Sequence, residues 1–419
     1  MFGKTVKSLG LSLLFKGSSL IFSVLIVRWY VANFSPSDLE ILNLQSSFIT
    51  TLMVMVTFAI PNLIQRYYIH FEERTKKEVA DYWTTMLLLR VGTFILGLIL
   101  LFIFLPISGT TNLYSALGLY LMQFLLLVDL NFRMISDSLN QSWKFSATDL
   151  LNKFLLFAGL YSLPLFEKNL NSILNISGSS LYFAYYLALA ILSVLISFVL
   201  DWIINLKHIG IGEFHPGLIR KELKSIATIS LTTIIIALYS QTDKLFMKYF
   251  GLGSEQINGY SIAYRLFESL IIIPALTIPT LATLLHKNRK SDPSKAVKLR
   301  IAIIGLALFS TLLAMLVKPV LLAVVDSEGK YTEFSSTSYN LLAIGLIPLT
   351  ISAYYANKFV FNHKEKYDLI ANIITLVFAL IGYAVFIPMY GASGAAMVTS
   401  GYLFLDLFVK LFLDRRGKI

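Results

Sequence analysis

The sequence predicts an all-α integral membrane protein of twelve transmembrane helices in two six-helix bundles. Three observations predict it. Only 14% of the 419 residues are charged and 56% are hydrophobic, where soluble domains carry about 25% charged residues. Apolar runs of about 20 residues, the length a helix needs to cross a bilayer, recur twelve times along the chain. Lys and Arg are segregated between alternate connections: with Lys248, Arg300, Lys318, Lys358 and Lys410, toward the ends of their runs, counted with the adjoining connections, 25 of the 35 fall on the side of the N-terminus, 4 on the other side and six deeper in the runs. Short cytoplasmic loops accumulate basic residues, so this bias places both termini in the cytoplasm.

Taken in order, the runs are 9–31, 41–65, 81–106, 112–132, 147–165, 180–206, 225–249, 256–285, 300–325, 336–358, 367–388 and 391–413. The first run is too long for a cleavable signal peptide and no small-residue cleavage site follows it. Residues 207–224 form the longest inside connection and hold Gly210, Gly212, Pro216 and Gly217, all helix breakers. They divide the chain into an N-terminal bundle (1–206), a cytoplasmic linker (207–224) and a C-terminal bundle (225–419). Pro61, Pro274, Pro279 and Pro348 fall inside runs, where proline bends a helix.

The halves echo one another. A shift of 216 residues sets Arg28 on Lys244, Phe34 on Phe250 and Gly178 on Gly394; a shift of 218 sets Ile60-Pro61-Asn62-Leu63 on Ile278-Pro279-Thr280-Leu281. Six helices is an even number, so both repeats start on the same side. They are expected to be related by a pseudo-two-fold axis along the membrane normal, with a cavity between them.

The net charge of +11 is accounted for by topology. Basic stretches such as Lys287-Asn288-Arg289-Lys290 need no nucleic acid. Cysteine is absent, which excludes disulfides and thiol chemistry. The five histidines (His70, His208, His215, His286, His363) show no metal-ligand spacing and fall on the cytoplasmic side. No Gly-x-x-x-x-Gly-Lys-Ser/Thr loop is present, and the outside connections near 166–179 and 326–335 hold neither His nor Arg. The chain therefore reads as a transporter rather than an enzyme, with no cofactor and with gradients or product trapping as its energy source.

The stretch from Ser240 to Glu268 organises this reading. It carries Asp243, Lys244, Arg265 and Glu268 inside two apolar runs joined by Phe250-Gly251-Leu252-Gly253. An ion near the bilayer centre costs about 2.5–3.5 kcal/mol on insertion scales, so charges kept there have a use. Thr242-Asp243-Lys244, Tyr249-Phe250-Gly251 and Gly259-Tyr260-Ser261-Ile262-Ala263-Tyr264-Arg265 resemble the seventh- and eighth-helix motifs of the multidrug/oligosaccharidyl-lipid/polysaccharide (MOP) exporter superfamily, and within it of the Wzx-like polysaccharide flippases of O-antigen, capsule and exopolysaccharide assembly. Ile387-Pro388-Met389-Tyr390-Gly391-Ala392-Ser393-Gly394-Ala395-Ala396 is similar to the family's turn between the last two helices. Arg28, ahead of Ser35-Pro36-Ser37-Asp38, is a weaker match. Lys244, where Arg is commoner, and Trp29-Tyr30 depart from the pattern.

The resemblance implies a MATE-like fold and translocation of a polyprenyl-pyrophosphate-linked glycan between leaflets of the bacterial plasma membrane, by alternating access and with other polysaccharide assembly proteins as partners. Cations in a cavity would then neutralise the pyrophosphate; Arg grips phosphate through two parallel bonds, Lys as a point charge. The candidates are Lys16, Arg28, Arg90, Lys153, Lys244 and Arg265. Plainer readings stand beside them. Lys16 and Arg28 lie near the membrane faces and can snorkel. Lys153 is four residues from Asp149, Arg265 three from Glu268, and Asp129 four from Arg133, all spacings that pair on one helix. Arg90 has no acidic neighbour on its own helix and is the strongest cavity candidate. Asp243 and Glu268 are candidates for coupling to a proton or sodium ion, or for fixed ion pairs. Tyr67-Tyr68, Tyr185-Tyr186 and Tyr354-Tyr355 can stack on sugars or sit in an interfacial belt. Two other functions remain open: a multidrug exporter of the same superfamily, and a membrane-embedded polysaccharide polymerase.

Overall fold

The computed structural model describes residues 2–57, 60–68, 73–105, 113–139, 141–174, 179–291, 293–362 and 364–416. Among them every regular element is helical: α1 (Phe2–Asn33), α2 (Pro36–Thr57), α3 (Ile60–Tyr68), α4 (Lys76–Phe104), α5 (Leu113–Ser138), α6 (Ser142–Leu174), α7 (Ser179–Asn205), α8 (Pro216–Tyr249), α9 (Ser254–Ser291), α10 (Pro293–Val325), α11 (Thr332–Ile344), α12 (Leu346–Phe361) and α13 (Glu365–Arg416), with a 3-10 turn at Leu206–His208. The second run is shared by α2 and α3, and the tenth by α11 and α12. The last two runs lie in α13, which changes direction at Gly391 (φ 58°, ψ −134°). These helices thus account for the twelve predicted spans. Nine of the described helices are long and apolar enough to cross a membrane, α13 counted once. α8 and α9, at 34 and 38 residues, also have the length and carry the embedded charges.

The breaks follow from local chemistry. Thr75 caps α4 in a reciprocal capping box with Glu78, satisfying two amides that the helix leaves open. The turn after α8 is a Schellman motif: Gly251 N donates to Lys248 O at 3.0 Å and Leu252 N to Met247 O at 3.1 Å. Gly251 takes φ +74°, a conformation that favours glycine. At Asp326 the side chain accepts from the amides of Lys330 (2.9 Å) and Tyr331 (2.7 Å) and from the Thr332 hydroxyl (2.8 Å), closing the connection between α10 and α11. Gly391 is required by its positive φ. A Cβ at Gly394 would collide with the carbonyl oxygen of Phe386, so glycine there lets the chain fold back on itself.

The chain divides into two compact units, Met1–Ile234 and Ile235–Ile419, with the division inside α8. In the first, α1 packs along α6, α5 and α6 against α7, and α2 against α4 and α5. One buried cluster joins Ile60, Leu63, Ile64 and Tyr68 of α3 to Tyr82, Trp83 and Met86 of α4 and Phe132 and Ile135 of α5. In the second, α9 packs against α10, α11 and α12, and α13 against α11 and α12.

The linker differs from the expectation. α8 begins at Pro216 rather than near 225, because proline fits the first helical turn, where its missing N–H costs nothing. Residues 209–215 are irregular yet fastened to α4. Gly212 N donates to Thr84 Oγ1 at 2.8 Å, Glu213 N to Asp81 Oδ1 at 2.7 Å and His215 N to Thr85 Oγ1 at 3.1 Å. His215 Nε2 lies 3.2 Å from Asp81 Oδ2. The inside connection expected near 286–299 is also short, since α9 runs to Ser291 and α10 starts at Pro293.

Candidate functional site

Unit 1 carries a polar seam between α1 and α6. Ser8 faces Ser142 at 3.3 Å, Ser12 faces Ser146 at 2.6 Å, and Lys16 Nζ meets Asp149 Oδ2 at 2.7 Å, with Ser19 Oγ donating to the same oxygen at 2.9 Å. The seam repeats every four residues on α1, the spacing that puts side chains on one helix face. Small hydroxyl residues let two helices approach closely in a membrane. Lys16 also lies 5.2 Å from the centroid of the Phe145 ring. Asp149 thus makes its direct ion pair with α1, while Lys153, four residues on along α6, stays near enough to act on it.

Asp129 also reaches beyond its own helix. It is buried, with Oδ1 lacking a hydrogen-bond partner among the described residues, and Asp201 of α7 lies near it. Thr148 Oγ1 reaches the two oxygens of Asp201 at 3.0 and 2.9 Å. Arg133 lies over Phe145, 5.8 Å from the ring centroid.

Arg90 is 1% exposed. Its guanidinium donates to Asn131 Oδ1 at 3.0 Å and to the Leu127 carbonyl at 3.4 Å, both on α5, while its buried Nε has no partner among the described residues. Arg28 is exposed and Lys153 half-buried. Among the described residues none of these three lies within ion-pair distance of a carboxylate. Of the three only Arg90 is buried, so unit 1 holds one fully embedded cation whose described partners are neutral.

In unit 2 the charges predicted between Ser240 and Glu268 gather with tyrosines. Asp243 is fully buried and accepts from the Tyr260 hydroxyl and from Lys244 N at 2.8 Å. The Tyr260 hydroxyl lies 3.2 Å from Thr399 Oγ1, which lies 3.1 Å from the Tyr383 hydroxyl. Tyr239 donates to Asn372 Oδ1 at 2.9 Å. Lys244 is buried 4.7 Å from the centroid of the Tyr264 ring, in reach of a cation–π attraction. Arg265 is half-buried and Glu268 exposed.

A second cluster in unit 2 was missed. Lys410, counted above with the C-terminal cytoplasmic segment, is buried between Asp368 and Asp406 at 2.9 Å each and donates to Ser352 Oγ at 3.0 Å. Only the i,i+4 spacing of Asp406 and Lys410 signalled it. Lys358 pairs with Asp414. The tyrosine pairs pack against protein. Tyr67 stacks on Tyr82 at 3.6 Å, Tyr68 donates to the His208 carbonyl at 2.8 Å, Tyr185 donates to the Gly159 carbonyl at 3.1 Å, and Tyr186 meets Tyr30 edge-on. Tyr354 lies edge-on to Tyr355. No group of His, Cys, Asp and Glu among the described residues has the makings of a metal site. His70, His363 and the side chain of His286 lie outside the described residues.

No family model and no curated protein matches the chain. Solved structures do. The lipid II flippase MurJ, in an inward closed conformation, superposes with a TM-score of 0.68 at 16% identity, over 98% of this chain and 87% of that one. A point mutant of the Vibrio cholerae MATE transporter VcmN gives 0.66 at 11% identity over 99% and 98%. A Pyrococcus furiosus MOP superfamily transporter, described as having a binding pocket of reversed polarity, gives 0.62 at 15% identity over 99% and 95%. The chain thus has the twelve-helix, two-bundle fold of MOP-type membrane transporters. At these identities the likeness is one of fold.

Proposed function

We propose that this multi-pass protein moves a polyprenyl-pyrophosphate-linked oligosaccharide from the cytoplasmic to the outer leaflet of the bacterial plasma membrane by alternating access. Arg90 carries the reading: it is buried and has no carboxylate at ion-pair distance among the described residues. A buried charge without an opposite charge is costly, and a pyrophosphate supplies the missing one. Arg90 is the cation best suited to this task, since its described partners are neutral. Arg28 and Lys153 of unit 1, and Lys244 and Arg265 of unit 2, are the further cations that meet the cargo along its route. Lys16 holds α1 to α6. Asp243 and Glu268 are the groups through which a proton or sodium ion resets the empty carrier. A fold shared with a lipid II flippase supports cargo of this class, and glycan assembly proteins on either side of the step are the expected partners.

A multidrug exporter is the second reading, favoured by the MATE transporters of the same fold. A strain lacking the gene separates the two. The flippase reading expects lipid-linked glycan to accumulate facing the cytoplasm. Unchanged glycan orientation together with increased sensitivity to cationic drugs would overturn it.

A further inference from the structure

The first turn of α6 and the end of α7 form a groove at one end of unit 1 that none of the charges above uses. Its volume is about 530 Å³, and Trp143, Lys144, Ala147, Leu151, Ile204 and Lys207 line it, with Thr148 in its wall. Positions 144, 147, 148 and 151 make a single stripe along α6, faced by Ile204 at the end of α7 and Lys207 in the 3-10 turn that follows. Both lysines fall at the same end, because α6 begins at Ser142 and α7 ends at Asn205. Inward from them the lining is apolar.

The charges at the mouth are unbalanced. The Lys144 ammonium donates to the neutral Gln141 side chain. Lys207 is exposed, and neither lysine pairs with a carboxylate among the described residues. The two lie close enough for each to oppose the other's charge. An anion held between them would relieve that repulsion. A cationic rim over an apolar slot, with a tryptophan beside it, matches a molecule with a phosphate at one end and a hydrocarbon chain at the other. Basic pockets between helices on the cytoplasmic side of membrane proteins bind acidic headgroups by the same chemistry, and the basic bias of the loops puts this end in the cytoplasm.

We infer that this groove is a binding site for an anionic phospholipid of the cytoplasmic leaflet, its phosphate between Lys144 and Lys207 and one acyl chain along Ala147, Leu151 and Ile204. The inference does not depend on the identity of the transported cargo.

Native mass spectrometry of the full chain, titrated with phosphatidylglycerol or phosphatidylcholine, tests it. Wild type should retain one phosphatidylglycerol at least tenfold more tightly than phosphatidylcholine. Lys144→Gln/Lys207→Gln should remove that preference, and Lys330→Gln, a change at an exposed lysine elsewhere, should not. Ala147→Trp, which fills the slot and leaves both lysines, should weaken phosphatidylglycerol binding by a similar factor. Equal retention of the two lipids by wild type, or full retention by both groove variants, would overturn the proposal. So would displacement of the lipid by millimolar inorganic phosphate, or occupancy by a polyprenyl pyrophosphate where phosphatidylglycerol fails to bind.

Discussion

Lys16 Nζ lies 2.7 Å from Asp149 Oδ2, an ion pair that ties α1 to α6 across 133 residues of sequence. Both side chains are largely withdrawn from solvent, at 8% and 22% exposure. Removing one partner of such a pair leaves the other uncompensated, whereas replacing both by apolar groups is tolerated. Lys16→Met should therefore lower stability by about 3 kcal/mol, and Lys16→Met/Asp149→Leu by clearly less. Thermal unfolding in detergent reads the difference. Equal loss in the single and double variants would show that the pair contributes little.

The turn in α13 makes a second prediction. Glycine at 394 has the Phe386 carbonyl where a Cβ would sit, and backbone cannot swing aside as a side chain can. Gly394→Ala should cost at least about 2 kcal/mol and reduce the folded yield. Gly305→Ala is the control, since open space surrounds that position. A melting curve for Gly394→Ala that overlays wild type would contradict the geometry.

The helices were legible because span length and loop charge are local properties of the sequence. Starting α8 at Pro216 instead of near 225 lengthens a helix and moves no span. The partners were not legible, because they are set by packing between distant segments. Asp149 has Lys153 one turn away on its own helix, but α1 brings Lys16 nearer. Asp129 has Arg133 one turn away, and nothing in the sequence pointed to Asp201 as its neighbour. Arg90 stood out as lacking an acidic neighbour, yet no local signal marked Asn131 as its partner. Tyr260 stood out within a motif, but nothing local marked its hydroxyl as the partner of Asp243 and Thr399, or pointed to Tyr239 with Asn372 and Tyr383 with Thr399.

Arg90 should be needed for transport more than for folding. Arg90→Ala is expected to cut the flipping rate at least about tenfold, the effect of losing one charge-assisted contact to the cargo. Arg90→Lys keeps the charge but loses the planar fork and should fall between wild type and Ala. The readout is the initial rate in proteoliposomes, normalised to folded protein by size exclusion. Full activity of Arg90→Ala would remove this residue from the route.

Asp243 and its Tyr260 donor test the coupling step. Asp243→Asn should make transport insensitive to an imposed proton or sodium gradient. Tyr260→Phe, which removes a hydrogen bond to a buried carboxylate, should cost about 1–2 kcal/mol in stability while retaining that sensitivity. If Asp243→Asn responds to both gradients as wild type does, Asp243 is a fixed structural acid.

The central claim is that an anionic, pyrophosphate-linked cargo crosses on embedded cations. One charge moved through the membrane potential is worth about 2.3 kcal/mol per 100 mV, and a cargo with two negative charges gains roughly twice that when it moves toward the positive side. The direct measurement uses purified protein in liposomes loaded with a pyrophosphate-linked glycan, a potassium-diffusion potential imposed in either sense, and no proton or sodium gradient. The account predicts faster movement toward the positive side, with a rate that rises with the size of the potential. A rate indifferent to its sign and size would contradict it.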